Sequence, residues 1–137
     1  MKLLTTIITC LFWLAAVAQS VTSPNKKLVL ECSLASNGQP QYSLAFRGKQ
    51  VVGKSLLGFK LKGNVDLATN FAIVKTATKS VNETWQPVLG EQKNIVNHYN
   101  ELIVNVKQQQ EKGVEVILHF RLYNEGAAIR YEFPQQK

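Results

Sequence analysis

The sequence contains few cysteines and histidines, the residues that form disulfide bonds and many active sites. Only two cysteines and two histidines occur among its 137 residues. His98 and His119 stand far apart, and no cysteine or aspartate is arranged around either one. The chain also lacks a glycine-rich phosphate loop, a Gly-x-Ser-x-Gly elbow and a zinc-ligand spacing. These absences argue against the common nucleotide-binding, serine-hydrolase and zinc-binding patterns, and we predict no metal site and no cofactor in this chain.

Long apolar runs are missing as well, except at the N-terminus. Residues 1–18 carry Lys2, an apolar stretch that begins at Leu3, and the small-x-small sequence Ala16-Val17-Ala18 at their end. This is the pattern of a secretory signal peptide, and the stretch is short for a membrane span. We therefore predict cleavage after Ala18, export to the periplasm or the exterior, and no membrane attachment after cleavage.

The two cysteines predict no disulfide. Cys10 falls inside the predicted signal peptide, so Cys32 remains alone in the mature chain. Cys32 lies on the same face of a predicted strand as Leu28, Leu30 and Leu34. This setting is typical of a small buried apolar residue rather than of a nucleophile.

The basic charge of the chain is dispersed. The formal net charge is +7, and removal of Lys2 would lower it to +6. Lysines are scattered along the sequence, and Lys26-Lys27 is the only adjacent basic pair. Nucleic-acid-binding proteins usually concentrate charge on one element. The lysines are better explained by a solvated sheet surface, so we predict no nucleic-acid partner.

Strand patterns occupy most of the mature chain, and no ten-residue segment has a strong helical period. Apolar and polar residues alternate with a period of two, and β-branched and aromatic residues are frequent, which is the signal of half-buried strands. Residues 19–27 are predicted as a lead-in segment, and residues 28–137 as a β-domain. The predicted strands are Leu28–Leu34, Tyr42–Phe46, Leu57–Leu61, Phe71–Ile73, Leu102–Val106, Val114–Leu122 and Ile129–Phe133.

Turn-forming residues separate these strands. Asn37-Gly38 is a strong hairpin signal, and Arg47-Gly48 suggests a second tight turn. Gly113 and the segment 124–126 mark two later turns. Short strands joined by such turns predict an all-β fold, either an antiparallel β-sandwich or a barrel.

The segment from Asn82 to Leu102 has a different character and could carry chemistry. Glu83, Glu91 and Glu101 could supply a carboxylate pair of the kind that glycosidases use. Glu83 and Glu91 are eight positions apart, and Glu91 and Glu101 are ten. These spacings leave the separation of the carboxyl groups undetermined, and glutamates of this kind are usually solvated. The carboxylates alone therefore give little support for catalysis.

Other polar and aromatic residues of the same segment suggest a structured corner before the next strand. Trp85 either plugs the end of the sandwich or offers a flat face to a sugar ring. Buried polar groups need hydrogen-bond partners, so His98, Tyr99 and Asn100 would require acceptors, for which Glu91 and Glu101 are the candidates. Together with Trp85, these five are the candidate substrate-facing or domain-facing residues.

Three stretches of the chain resemble the N-terminal domain of glycoside hydrolase family 97. ETWQPVLGEQKNIVNHYNEL, from Glu83 to Leu102, is similar to that domain's signature. Ser23-Pro24 before a strand is similar to its mature start, and FRLYNEGAAIRYEFPQQ, from Phe120 to Gln136, to a later block. The chain departs from the usual pattern at Leu89, where tryptophan is usual, at Glu125 for aspartate and at Ile129 for phenylalanine.

The resemblance implies an exported α-glucosidase or α-galactosidase acting on oligosaccharides. Such an enzyme has an N-terminal β-super-sandwich, a catalytic (β/α)₈ barrel that holds the catalytic carboxylates, and a bound calcium ion. We expect this chain to provide only part of the super-sandwich, with the barrel, its catalytic residues and the calcium ligands lying beyond Lys137. No catalytic residue is assigned here, and the chain alone is expected to be inactive and incomplete, with uncovered sheet edges. Its expected partner is the catalytic barrel; the alternative is a stand-alone module that binds oligosaccharide.

Overall fold

The computed structural model describes residues 18–62 and 66–135. Ten strands are formed within these residues, and all their pairings are antiparallel. The predicted signal peptide lies outside the described residues except for Ala18. The ten strands have the bounds β1 Gln19–Thr22, β2 Leu28–Leu34, β3 Pro40–Phe46, β4 Lys49–Leu56, β5 Phe59–Lys60, β6 Asp66–Leu67, β7 Phe71–Trp85, β8 Ile95–Gln108, β9 Glu115–Leu122 and β10 Ala127–Glu132.

The strands form two four-stranded sheets that pack against each other, as expected for a β-sandwich. The first sheet has the order β1-β2-β3-β4 and the second the order β10-β9-β8-β7, while β5 and β6 form a small two-stranded ribbon. One core cluster combines residues of both sheets, including Leu30 and Cys32 of β2 with Val104 of β8 and Phe120 of β9. Burial of this apolar surface is the main force that holds the two sheets together.

The turns follow the sequence prediction closely. Gly38 has φ +74° in the β2–β3 connection, and Arg47 and Gly48 have φ +51° and +78° between β3 and β4. Two successive residues with positive φ make the type of two-residue hairpin that matches strand twist. The 124–126 turn is closed by the Tyr123 amide, which donates to the Gly126 carbonyl at 2.8 Å.

Strand bounds differ from the prediction at several places. The prediction of a Leu57–Leu61 strand is wrong in extent. Gly58 adopts φ +137° and interrupts the extended backbone, so that Leu57 hydrogen-bonds to Pro40 of β3 and only Phe59–Lys60 forms the strand β5. The segment predicted as a lead-in contains the strand β1. The strand β4 was not predicted, because apolar and polar residues do not alternate regularly along it. β4 also shows two register shifts against β3, as is common for an edge strand.

None of the described residues belongs to a helix with the length and apolar character needed to cross a lipid bilayer.

Candidate docking surface on the second sheet

The outer face of the second sheet carries a row of charged residues from three adjacent strands. Along β8, Leu102, Val104 and Val106 point into the core, so the alternating residues, including Glu101, point to the opposite face. Lys79 of β7 is the direct cross-strand partner of Glu101 on one side, and Arg121 of β9 is its partner on the other. The strand register therefore places one carboxylate between two cations.

Glu101 is fully buried, with an exposed fraction of 0%, although it lies on the outer face. Its Oε2 lies 2.7 Å from Lys79 Nζ. Its Oε1 accepts a hydrogen bond from Arg121 Nε at 3.1 Å and lies 2.9 Å from His119 Nδ1. A buried carboxylate is tolerated when it is paired and hydrogen-bonded in this way.

These contacts determine the ionisation of Glu101. Burial by itself raises the pKa of the carboxyl group, but the hydrogen bonds from Lys79, Arg121 and His119 and the charge of Arg121 outweigh it. The pKa of Glu101 falls from 4.5 to about 2 as a result. Glu101 is thus a carboxylate at neutral pH. It forms ion pairs with Lys79 and Arg121 and carries no proton to donate.

His119 extends the charged row towards β10. Its Nε2 lies 3.1 Å from Glu132 Oε2 and 3.3 Å from Arg130 Nη2, while Nδ1 faces Glu101. A doubly protonated ring would donate to both carboxylates. A neutral ring protonated at Nδ1 would donate to Glu101 and accept from Arg130. His119 is itself buried, although it lies on the outer face of the sheet.

An aromatic pair borders this charged row. Tyr99 is buried, and its ring centroid lies 5.3 Å from that of Tyr123. The guanidinium carbon of Arg121 lies 4.7 Å from the Tyr99 ring centroid, in cation–π geometry. Tyr99 and Arg121 therefore hold each other in place beside Glu101.

Asn100 and His98 alternate with Tyr99 and so belong to the other face of β8. The Asn100 side-chain amide donates to the Thr22 carbonyl of β1 at 2.8 Å, which links the two sheets. His98 is half-buried and lies opposite Asn82 of β7. The candidate residues His98 to Glu101 are thus divided between the two faces of one strand.

The expected corner between residues 82 and 102 is instead the end of a long β-hairpin. β7 continues to Trp85 and β8 already begins at Ile95, whereas β9 reaches only as far as the partner of Asn100. Val81–Trp85 and Ile95–Tyr99 therefore project beyond the third strand as a two-stranded arm, closed by the loop 86–94. The prediction missed these strands because the exposed arm has no regular apolar alternation.

Three apolar side chains at the end of the arm, which we call the arm tip, are exposed. Trp85 is 49% exposed, Val88 99% and Leu89 90%. Trp85 is therefore not a buried plug of the sandwich. Glu91 lies in the same loop and is exposed, so it is not an acceptor for buried groups on β8.

The described residues do not suit a calcium ion. Calcium is bound by clusters of oxygen ligands that include carboxylates. The carboxylates of Glu101 and Glu132 are instead engaged by Lys79, Arg121 and Arg130, and no cluster of three or more metal-ligating side chains occurs in residues 18–62 and 66–135.

Cys32 is buried, and burial raises the pKa of its thiol to about 12. A thiol with this pKa remains protonated at neutral pH and is a poor nucleophile. The interpretation of Cys32 as an apolar core residue is consistent with this environment.

Sequence reasoning identified Glu101 and Tyr99 but missed the residues that surround them. Lys79, His119 and Arg121 lie 18 to 22 positions away in sequence, and only the strand register brings them together. The alternation of β8 and β9 was visible, but the pairing register that aligns them was not. The register of β8 with β9 could have been estimated by folding the two strands into a hairpin about the Gly113 turn.

Comparison with known proteins relates this sandwich to one family. The sequence model described as glycosyl-hydrolase 97 N-terminal matches residues 21–137. The solved structure of a glycoside hydrolase family 97 enzyme in complex with acarbose, from Pseudoalteromonas sp. strain K8, superposes with a TM-score of 0.80 at 31% sequence identity. The match covers 86% of this chain and 18% of that enzyme.

Two further solved structures give similar values. A variant of a family 97 enzyme from the same strain, in complex with panose, has a TM-score of 0.79 at 30% identity. A β-arabinopyranosidase has a TM-score of 0.74 at 25% identity, and each match again covers 86% of this chain and 18% of the other. The chain therefore spans about a fifth of the length of these enzymes, and over residues 21–137 it belongs to the glycosyl-hydrolase 97 N-terminal family.

Proposed function

We propose that this chain forms the non-catalytic N-terminal portion of an exported family 97 glycoside hydrolase that acts on α-linked oligosaccharides. In this proposal its role is to dock on the catalytic domain and to shape the entrance of the active site. Export is supported by the signal-peptide pattern of residues 1–18, and the substrate class by the family's solved complexes with acarbose and panose.

The arm tip is the observation that carries the docking role. Val88 and Leu89 are almost fully exposed at the end of a hairpin that projects from the sandwich, and the Trp85 indole beside them is half exposed. Exposed apolar residues that cluster on one surface mark contacts with other protein surfaces. A catalytic domain of the same enzyme is the partner that the family membership suggests.

A chimeric enzyme tests this role. This chain would replace the matching segment of the Pseudoalteromonas enzyme, and hydrolysis of nitrophenyl α-glucoside would be measured. We expect an active chimera, whose kcat/KM falls about tenfold or more with Val88→Asp and Leu89→Asp together, because a docked apolar contact positions the active-site entrance.

Val51→Asp is the matched control, since Val51 is 55% exposed but lies on β4 of the other sheet. The control variant should retain the chimera's activity within about twofold. A folded chimera without activity would contradict the domain role. An active chimera that is insensitive to both arm-tip substitutions would contradict docking through the tip.

A second candidate function is a carbohydrate-binding module, which the half-exposed Trp85 ring favours. Sugar rings can pack on a flat aromatic face of this kind. Titration of the chain with maltooligosaccharides or galactosides in a calorimeter should then give saturable heat that Trp85→Ala abolishes. No heat with the wild-type chain, or the same heat with Trp85→Ala, would exclude Trp85 as a sugar site.

A further inference from the structure

The outer face of the second sheet carries aliphatic side chains among its charged residues. The residues of β8 that alternate with the core residues point outwards, and the strand register continues this face across β7 and β9. Four aliphatic side chains lie at such outward positions and are half-buried: Val81, Ile95, Ile103 and Ile117. The water-facing side of an antiparallel sheet is usually polar. The aliphatic residues therefore suit this face to a contact with another surface.

The outer face of the first sheet has a different composition. Its outward positions on β2 and β3 alternate with Leu30 and Leu44, which belong to the core or pack against it. Apart from one valine, the residues at these positions are small or polar: Val29, Glu31, Ser33, Gln41, Ser43 and Ala45. This composition is typical of a solvated face. Of the two outer faces, that of the second sheet is thus the one suited to docking.

The charged row makes the outer face of the second sheet easier to cover. Glu101 is already fully buried within this chain alone. Covering a single charge is costly because the charge loses its hydration. Here Lys79 and Arg121 compensate Glu101, and Arg130 compensates Glu132, so a partner surface would cover paired charges.

The balance of the charged row indicates the chemistry of such a partner. The row contains three cations and two carboxylates: Lys79, Arg121, Arg130, Glu101 and Glu132. One positive charge is therefore in excess when the histidine of the row is neutral. The side chains of the three cations remain 47%, 35% and 59% exposed, so they can reach a further acceptor. A complementary surface has aliphatic groups and one carboxylate opposite the row.

The same face continues into the arm. Trp85 pairs with Ile95 and shares the outward parity of Lys79 and Val81 along β7. The half-exposed indole therefore lies on the same side of the sheet as the charged row. Further strands of a sandwich join at the edges of its sheets, which leaves the outer faces to a third layer.

We propose that the outer face of the second sheet is buried against the catalytic domain, whose facing surface is aliphatic and places one carboxylate opposite the charged row. The proposal rests on the docking role proposed above, and it extends the contact from the arm tip across the sheet. It also assigns the aliphatic residues and the charged row to one interface.

A bulky substitution on this face tests the contact. Ala77 is exposed at an outward position opposite Ile103. Ala77→Arg should leave the thermal midpoint of the isolated chain unchanged, as expected for an exposed position. In the chimera with the Pseudoalteromonas enzyme it should lower kcat/KM about tenfold or more, because the added side chain would hold the two domains apart.

Ala45→Arg is the matched control, since Ala45 lies at an outward position of the first sheet. It should retain the activity of the chimera within about twofold. Equal losses with the two substitutions, or no loss with Ala77→Arg, would overturn the proposal. A chimera that responds to the arm-tip substitutions but not to Ala77→Arg would keep the docking role and confine it to the tip.

Zero-length cross-linking of the chimera identifies the partner surface and does not depend on activity. A carbodiimide joins a lysine to a carboxylate only where the two groups are in contact. Lys75, Lys79 and Lys107 are exposed at outward positions of the second sheet, and cross-links from them to carboxylates of the catalytic domain are expected. Lys49 and Lys54, on β4 of the first sheet, are the controls and should give none.

Mass spectrometry of the cross-linked peptides distinguishes the outcomes. No cross-link from the outer face to the catalytic domain, or cross-links only to later parts of the N-terminal sandwich, would overturn the proposal. An inactive chimera that still gives the expected cross-links would support the interface and contradict the role in shaping the active-site entrance.

Discussion

At the scale of single residues, Glu101 shows how a charge can be buried on the outer face of a sheet. Its two neighbours in register, Lys79 and Arg121, supply the compensating charges, and His119 completes the set of contacts. Removal of one member of a buried ionic group is costly because the remaining members lose their partner. The two cations are themselves partly exposed, so water can solvate them in part if Glu101 is replaced.

Glu101→Gln should therefore destabilise the fold at neutral pH by about 2–3 kcal/mol, somewhat less than the loss of a fully buried ion pair. Urea denaturation of both proteins measures the difference in the free energy of unfolding. Glu91→Gln, in the exposed loop, is the control and should change this free energy by about 0.5 kcal/mol or less. Equal effects of the two substitutions would show that the buried carboxylate contributes no stability.

The depressed pKa of Glu101 also predicts how stability depends on pH. The group titrates at about 2 in the folded chain, against an ordinary value of 4.5. The unfolded state therefore binds the proton first as pH falls, so the stabilisation is complete above pH 4.5 and is lost progressively down to about pH 2. Denaturation curves collected across this range should show the wild type and Glu101→Gln converging towards pH 2. A constant difference between them over the whole range would contradict the assignment.

At the scale of elements, the β2–β3 hairpin and the start of β7 meet in unusually close contact. The Phe71 amide donates to the Gly38 carbonyl at 3.0 Å, and the Asn70 amide donates to the Asn37 carbonyl at 2.9 Å. A Cβ atom on Gly38 would lie 2.8 Å from the Phe71 nitrogen. The glycine is thus needed both for its positive φ and for the approach of one backbone to another.

Gly38→Ala and Gly48→Ala separate these two requirements. Both glycines have positive φ, but a Cβ at Gly48 would meet no atom within 4 Å. Gly48→Ala should cost about 1 kcal/mol of unfolding free energy for the strained φ, and Gly38→Ala about 2–4 kcal/mol because the clash adds to the strain. Thermal or urea unfolding of the two variants gives the comparison, and equal losses would argue against the tight contact.

The elements that could be predicted from sequence are those with one buried face. Leu28–Leu34 and Val114–Leu122 alternate because every second residue enters the core, and their strands were found nearly in full. The arm of β7 and β8 carries no such alternation, since its β7 residues are mostly exposed on both faces, and a corner was expected in its place. The charged row around Glu101 depends on pairing between strands, which the local sequence does not encode.

At the scale of the whole molecule, the structure is a sandwich with features that suit further contacts. The arm tip is apolar and exposed, and the edge of β7 is open over ten residues. The expected uncovered sheet edges include β7, which pairs only with β8 within residues 18–62 and 66–135.

The central claim is that the arm tip packs against the catalytic domain of a family 97 enzyme. Hydroxyl-radical footprinting of Trp85, in the isolated chain and in the chimera with the Pseudoalteromonas enzyme, tests this contact directly. The indole is half exposed in the chain, so we predict rapid oxidation there and much slower oxidation in the chimera, while the partly exposed Phe46 in the β3–β4 hairpin of the first sheet reacts equally in both. Equal oxidation of Trp85 in the two proteins would contradict the docking of the arm tip.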